Sequence, residues 1–271
     1  MVRKEQVKKI IAKTYLYGVL LLMYLPILVL VVYSFTESDQ LGVWNGFSFQ
    51  LYVDLFKNDP LMSATKNTLI IAIVSAVVST ILGTLGAIGV FYSKKRYQKT
   101  VETATQLPVV NAEIVMALSL AVLFKTLQTS YSFGTLLIGH LVLTVAFVYL
   151  NVKPKLAQMD PNIYEAALDL GASPKRALWK VVLPEIMPGI FSGFMLTITL
   201  SLDDYIITAF TRNNSFSTLS TYIYGATAKK GALPPVLRAL TTVITLAVLL
   251  ILLVINYKSK NKKTINRRGM R

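Results

Sequence analysis

The chain has 271 residues, 54% of them apolar and 15% charged, against about 25% charged in an average soluble domain, and its mean hydropathy is +0.56. That balance excludes soluble domains of this length and fits a bilayer, where each spanning helix takes about 20 mostly apolar residues. The absence of Cys and the single His140 exclude disulfides, thiolate sites and multi-histidine metal sites, while the net charge of +15 leaves nucleic acid or a basic membrane face as its cause.

About six apolar stretches follow in chain order. They cover residues 14–35, 67–92, 103–124, 133–150, 185–210 and 233–257. The predicted architecture is therefore an all-α polytopic membrane helix bundle, with residues 1–271 forming one transmembrane domain. Pro26 lies within the first stretch, which is tolerable where neighbouring helices re-satisfy the freed carbonyl. That stretch exceeds a signal-peptide core and lacks a small-residue cleavage site, so it is expected to be retained. Pro108 and Glu113 interrupt the third. Ser75, Ser79, Gly83 and Ala87 recur every four residues in the second, a spacing that lets membrane helices approach closely. Tyr and Trp near span ends, such as Trp44, Tyr92 and Tyr257, read as interfacial anchors.

The Lys and Arg residues settle the charge. The amino-terminal arm (Arg3, Lys4, Lys8, Lys9, Lys13), the second connection (Lys94, Lys95, Arg96, Lys99) and the fourth (Lys153, Lys155, Lys175, Arg176, Lys180) are basic, as is the tail from Lys258 to Arg271. The first connection holds Glu37, Asp39, Asp54 and Asp59 against Lys57 and Lys66, and the third holds Lys125. Alternate connections are basic, which predicts a multi-pass protein with both termini in the cytoplasm. Arg212, Lys229 and Lys230 in the fifth connection run against the pattern, but orientation follows the sum. The basic tail suits anionic lipid head groups, and nucleic-acid binding is not expected.

The fourth connection, residues 151–184, is long and full of helix punctuation. Asp160 is a good N-cap and Pro161 suits a first helical position. A short helix is predicted over 162–170, ended by Gly171 in the left-handed conformation. Ser173 and Pro174 start a second short helix, predicted to run to Val182 and close at Leu183-Pro184. Glu165, Ala166 and Ala167 lie mid-helix, where small side chains admit another protein's backbone.

Glu165-Ala166-Ala167, three residues, Gly171, nine residues, Val181, one residue and Leu183-Pro184 resemble the signature loop of the permeases of ABC importers, with Val181 in place of the usual Ile. The resemblance implies a type I importer permease fold in a bacterial inner membrane. It also implies that Glu165, Ala166, Ala167, Gly171, Leu183 and Pro184 form the coupling loop that docks into an ATP-binding subunit. Ser201-Leu202-Asp203-Asp204-Tyr205 and the run from Leu219 through Leu237-Arg238-Ala239-Leu240 resemble the spermidine/putrescine branch, and within it the second of two permease subunits. The partners so implied are a second permease subunit, ATP-binding subunits and an extracytoplasmic polyamine-binding protein. The chain has no GxxxxGK[ST] phosphate loop, so no cofactor is expected in it; ATP and magnesium belong to the partner ATPase. Another solute, such as iron, thiamine or a phosphonate, is the alternative within the class. A membrane-embedded enzyme is the alternative outside it. Adjacent carboxylates on one helix point about 100° apart, which disfavours an aspartyl dyad at Asp203 and Asp204.

Glu113, Asp203 and Asp204 fall at membrane depth. A charged Asp near the bilayer centre costs roughly 2.5–3.5 kcal/mol on insertion scales, so such groups face a bundle interior or water. They are candidate contacts for a cationic solute along the translocation path; the competing reading pairs them with Arg238 or Lys125. His140, among apolar residues, is expected to hydrogen-bond between helices.

Overall fold

The computed structural model describes residues 2–38, 40, 42–160, 162–230 and 234–250. Apolar runs of spanning length become helices: α1 (Val2–Tyr33), α3 (Asp59–Phe91) and α6 (Phe133–Gln158), with the short α2 (Gln50–Lys57) between the first two. The third expected span is not one straight helix. It is α4 (Lys95–Val110) and α5 (Glu113–Thr126), bent by 105° at the break. Pro108 removes a hydrogen bond from the last turn of α4, and Asn111 and Ala112 then take extended backbone, with ψ of 146° and 133°. The basic residues Lys95, Arg96 and Lys99, expected in a connection, lie in the first half of α4.

The fourth connection holds α7 (Asn162–Asp169) and α8 (Pro174–Ala177). The expected stop at Leu183-Pro184 is absent. A π-helical turn, Leu178–Val182, leads directly into α9 (Leu183–Asp203), so the helical run from Pro174 to Asp203 is 30 residues long. The reason is local: Pro184 has no N–H for the carbonyl four residues back, and Leu183 instead donates to the Leu178 carbonyl five residues back. The fifth expected span is also divided, since α9 ends at Asp203 and the short α10 (Ile206–Thr211) follows. After these come α11 (Leu219–Lys230) and the apolar α12 (Val236–Leu250). The rest of the expected sixth span lies outside the described residues, as do Asp39, Pro161 and the basic tail. Among the described residues four helical runs are long and apolar enough to cross a membrane, or five if α4 and α5 make one broken span.

Packing divides the chain into two units, residues 1–62 with 226–271, and residues 63–225. In the first, the most apolar window of α1 is unburied. Past its end the chain folds back through an isolated bridge between Thr36 and Phe47. Phe35 stacks on Phe47 at 5.5 Å and lies 5.3 Å from the Tyr52 ring. The Tyr52 hydroxyl meets Ser34 Oγ at 2.7 Å. Arg238 is buried and donates to the Ser38 carbonyl at 2.9 Å.

In the second unit, small residues bring three helices together. Ser75, Ser79 and Ala87 of α3 are all buried, and Ser79 Oγ lies 2.6 Å from Thr144 Oγ1 of α6. A Cβ on Gly83 would fall 2.6 Å from Val148 Cβ. Further along α6, a Cβ on Gly189 of α9 would fall 2.8 Å from the Asn151 carbonyl oxygen. The seam expected in α3 therefore has a counterpart in α9, and close contact favours association where lipid supplies no hydrophobic drive. Toward residue 159 the same helices bury a core of Ala87, Ile88, Val148, Tyr149, Val152, Leu156, Met159, Val182 and Ile186. Gly83→Val and Gly189→Val should each cost about 1–3 kcal/mol through overpacking. Both should lower the thermal unfolding midpoint in detergent, whereas Gly86→Val, with open space around it, should leave the midpoint nearly unchanged.

Candidate functional site

Residues 159–184 form an exposed handle whose ends are fixed by backbone chemistry. Asp160 accepts from Asn162 N at 2.9 Å through Oδ1 and from Ile163 N at 3.2 Å through its carbonyl, starting α7. At the other end Gly171 N donates to the Leu168 carbonyl at 2.8 Å and Ala172 N to the Ala167 carbonyl at 3.0 Å. This paired arrangement requires a left-handed residue, and Gly171 has a φ of +83°. Ser173 Oγ accepts from Arg176 N at 3.4 Å and opens α8.

The short α7 is sided. Tyr164 packs its ring 5.3 Å from that of Tyr92 and joins the core beneath, while Ala167 and Leu168 are half-buried. Glu165 and Ala166 face outward. Around them Leu170 is 89% exposed and Trp179 70% exposed, an apolar display for which packing within the chain gives no cause. Of the remaining residues expected here, Gly171 and Pro184 are exposed and Leu183 is half-buried against the core.

The second cluster forms where the two broken segments meet. Glu113 opens α5 at the first break, and because α5 packs on α10 its carboxyl lies within electrostatic reach of Asp204 and Asp203. Asp203 is exposed and Glu113 half-buried, while Asp204 is buried. Asp204 Oδ1 accepts from Ile207 N at 3.1 Å; Oδ2 accepts from Thr208 N at 2.8 Å and from the Thr208 hydroxyl at 2.5 Å. Its side chain, one residue before the N-cap Tyr205, satisfies the first turn of α10, and a carboxylate also suits the positive end of a helix.

Asp204 Oδ2 lies 3.5 Å from His140 Nε2, a proximity that sequence separation concealed. The network fixes the donors. Because the Thr208 hydroxyl donates to Asp204, its oxygen accepts from His140 Nε2–H at 3.1 Å. His140 Nδ1 then accepts from Ser201 Oγ–H at 2.9 Å, and Ser201 accepts from Ser75 at 3.0 Å. This chain ties α3, α6, α9 and α10 together, giving His140 the interhelical role expected for it. Sequence reading missed Ser201 and Thr208 as members; the four-residue steps Gly189, Gly193, Thr197 and Ser201 along α9 were the available signal. At the same break Tyr205 stacks on Tyr224 with ring centroids 4.3 Å apart.

The family model described as binding-protein-dependent transport system inner membrane component matches residues 79–260. The chain belongs to that family. The spermidine/putrescine transport system permease protein PotC of Haemophilus influenzae is 35% identical over 232 residues, 85% of this chain and 90% of the relative. PotC of Escherichia coli K12 is 34% identical, covering 85% and 87% of the two chains. The putrescine transport system permease protein PotI of the same strain is 34% identical over 83% and 82%. Among solved structures, a bacterial ABC transporter for import of the acidic polysaccharide alginate matches with a TM-score of 0.71 at 15% identity, covering 95% and 97% of the chains. An amino acid ABC transporter matches with a TM-score of 0.55 at 17% identity, over 75% and 96%. The chain is thus an inner-membrane, multi-pass permease subunit with the type I importer fold.

Thr208→Val should remove a bond to the buried carboxylate and leave His140 Nε2 only its longer contact with Asp204. A cost of about 1–3 kcal/mol is expected for such a loss, read as a lower unfolding midpoint in detergent. Thr199→Val, on the exposed side of α9, should change the midpoint little.

Proposed function

We propose that this chain is the permease subunit of an ABC importer for polyamines, forming half of the translocation path beside a second permease. ATP and magnesium are held by partner ATP-binding subunits, an extracytoplasmic binding protein delivers the solute, and both termini are cytoplasmic. The observation that carries the substrate class is the meeting of the two helix breaks at exposed Asp203 and half-buried Glu113. Irregular backbone at membrane depth is tolerated where it is buried in protein or lines a water-filled cavity, and breaks of this kind build solute sites in other transporters. Carboxylates there compensate ammonium groups, and the Tyr205–Tyr224 pair adds aromatic surface suited to a cation. Asp204, whose oxygens are occupied, holds the break in shape while Asp203 and Glu113 meet the solute. The polyamine named for each of the relatives supports the same class.

Coupling is assigned to Glu165, Ala166, Ala167, Gly171, Leu183 and Pro184. The exposed Ala166 leaves room for a partner's backbone, Leu170 and Trp179 supply apolar contact, and the core under Tyr164 passes a push on α7 to α6 and α9. The chain has no native Cys, so Ala166→Cys provides a single thiol for cross-linking to the ATP-binding subunit in the assembled complex. Adducts with no ATP-binding subunit would remove the docking assignment. Ala166→Trp should abolish ATP-driven uptake while leaving the complex assembled.

The substrate class is tested separately, in proteoliposomes holding the whole importer. ATP-dependent uptake of labelled putrescine or spermidine is expected, with Asp203→Asn and Glu113→Gln each lowering it at least about tenfold, the effect of losing roughly one charge-assisted contact. Absence of polyamine uptake by the intact complex overturns this substrate. Full uptake by both variants overturns the path assignment alone.

A further inference from the structure

The helix α4 has a face that the importer mechanism leaves unused. Gln98, Val101, Glu102 and Thr105 are half-buried: Gln98 donates to the Phe91 and Ser93 carbonyls, Val101 packs on the core, and Glu102 pairs with Lys153 of α6 at 2.7 Å. The other face carries Arg96, Lys99, Thr100, Thr103, Ala104 and Leu107, spaced as one helical stripe. These residues are all exposed and line a groove of about 530 Å³. The stripe is graded along its length. Cations come first, then hydroxyls, then apolar side chains, and the strongly exposed Val110 ends the helix.

We infer that this groove binds an anionic phospholipid, with its phosphate on Arg96 and Lys99 and its acyl chain along Ala104 and Leu107. The gradation from charge to hydroxyl to hydrocarbon over three turns matches the order of phosphate, glycerol ester and chain in such a lipid. Glu102 does not cancel the cations, because its carboxylate is engaged by Lys153. The Thr100 and Thr103 hydroxyls donate to the Arg96 and Lys99 carbonyls at 3.1 and 3.0 Å. Basic clusters beside membrane helices attract anionic head groups, and Arg adds a fork suited to phosphate. The inference is independent of the transported solute.

The test uses the purified full importer, stripped with detergent and titrated with phosphatidylglycerol or phosphatidylcholine under native mass spectrometry. The tightest phosphatidylglycerol is expected to bind about thirtyfold more weakly after Arg96→Gln/Lys99→Gln, as two lost surface cations imply. Lys57→Gln/Lys66→Gln, an equal charge loss elsewhere, should leave that lipid in place. Leu107→Ser should weaken retention of both lipids. Equal phosphatidylglycerol binding by the wild type and Arg96→Gln/Lys99→Gln overturns the site, as does an equal loss in Lys57→Gln/Lys66→Gln. A photo-crosslinking residue at position 103 in the vesicle-embedded complex should label lipid; labelling of a permease or ATP-binding chain instead overturns the assignment. A wild-type-like unfolding midpoint for Lys99→Gln alone, together with weakened phosphatidylglycerol binding, separates loss of the site from loss of the fold.

Discussion

A broken helix in hydrocarbon must find partners for the backbone groups that the break releases, and in this bundle one carboxylate meets that requirement. Where α9 stops at Asp203, the side chain of the next residue takes the N–H groups of Ile207 and Thr208 and so allows α10 to begin. A buried carboxylate is itself costly without compensation. The Thr208 hydroxyl supplies it directly, and the oriented series through His140, Ser201 and Ser75 extends it across three further helices. The break and the polar seam are consequently one device. Without the seam Asp204 would be a liability, and without Asp204 the N–H groups of Ile207 and Thr208 would lose their acceptor.

The remainder of the second unit keeps that device rigid. Gly83 and Gly189 bring α3 and α9 against α6 at distances a Cβ would violate, and Ser79 with Thr144 closes the α3 seam by hydrogen bonding. Cores packed this closely transmit displacement instead of absorbing it. The helices leading into and out of residues 159–182 are α6 and α9. Their shared core of Val152, Leu156, Met159, Val182 and Ile186 lies directly beneath α7. The π turn at Leu178–Val182 serves the same end, since it carries the chain past Pro184 without interrupting the helical run.

What could be read from the sequence follows from how local each signal is. The corner of the exposed loop was legible because its determinants are short-range: Asp160 accepts from N–H groups two and three positions on, Ser173 from the one three positions on, and Gly171 answers a φ that few other residues adopt. The α3 seam was legible as a four-residue period. The division of the fifth span was not, because no Pro or Gly stands between Phe194 and Phe210. Asp204 ends the helix only because tertiary packing buries it beside Thr208 and His140, a residue 64 positions away in the chain. Pro108 and Glu113 marked the other interruption, yet a bend of 105° depends on extended backbone at Asn111 and Ala112, which their side chains do not dictate. Hydropathy counts spans well and detects breaks poorly, since a broken span remains equally apolar.

Two neighbouring aspartates illustrate what this arrangement makes possible. In an unbroken helix Asp203 and Asp204 would both need a bundle interior or water, and each would bear the cost of its charge. Ending the helix between them separates their fates. Asp204 turns inward and spends its acceptors on the backbone, while Asp203 stays exposed on the last turn of α9. The first break brings Glu113 to the same place. One carboxylate is thus committed to architecture so that a second, fixed beside it, remains available. The proposed path for a cation calls for anions that are both accessible and held in position, and a carboxylate set on a capped helix break meets both conditions without relying on a long, flexible side chain.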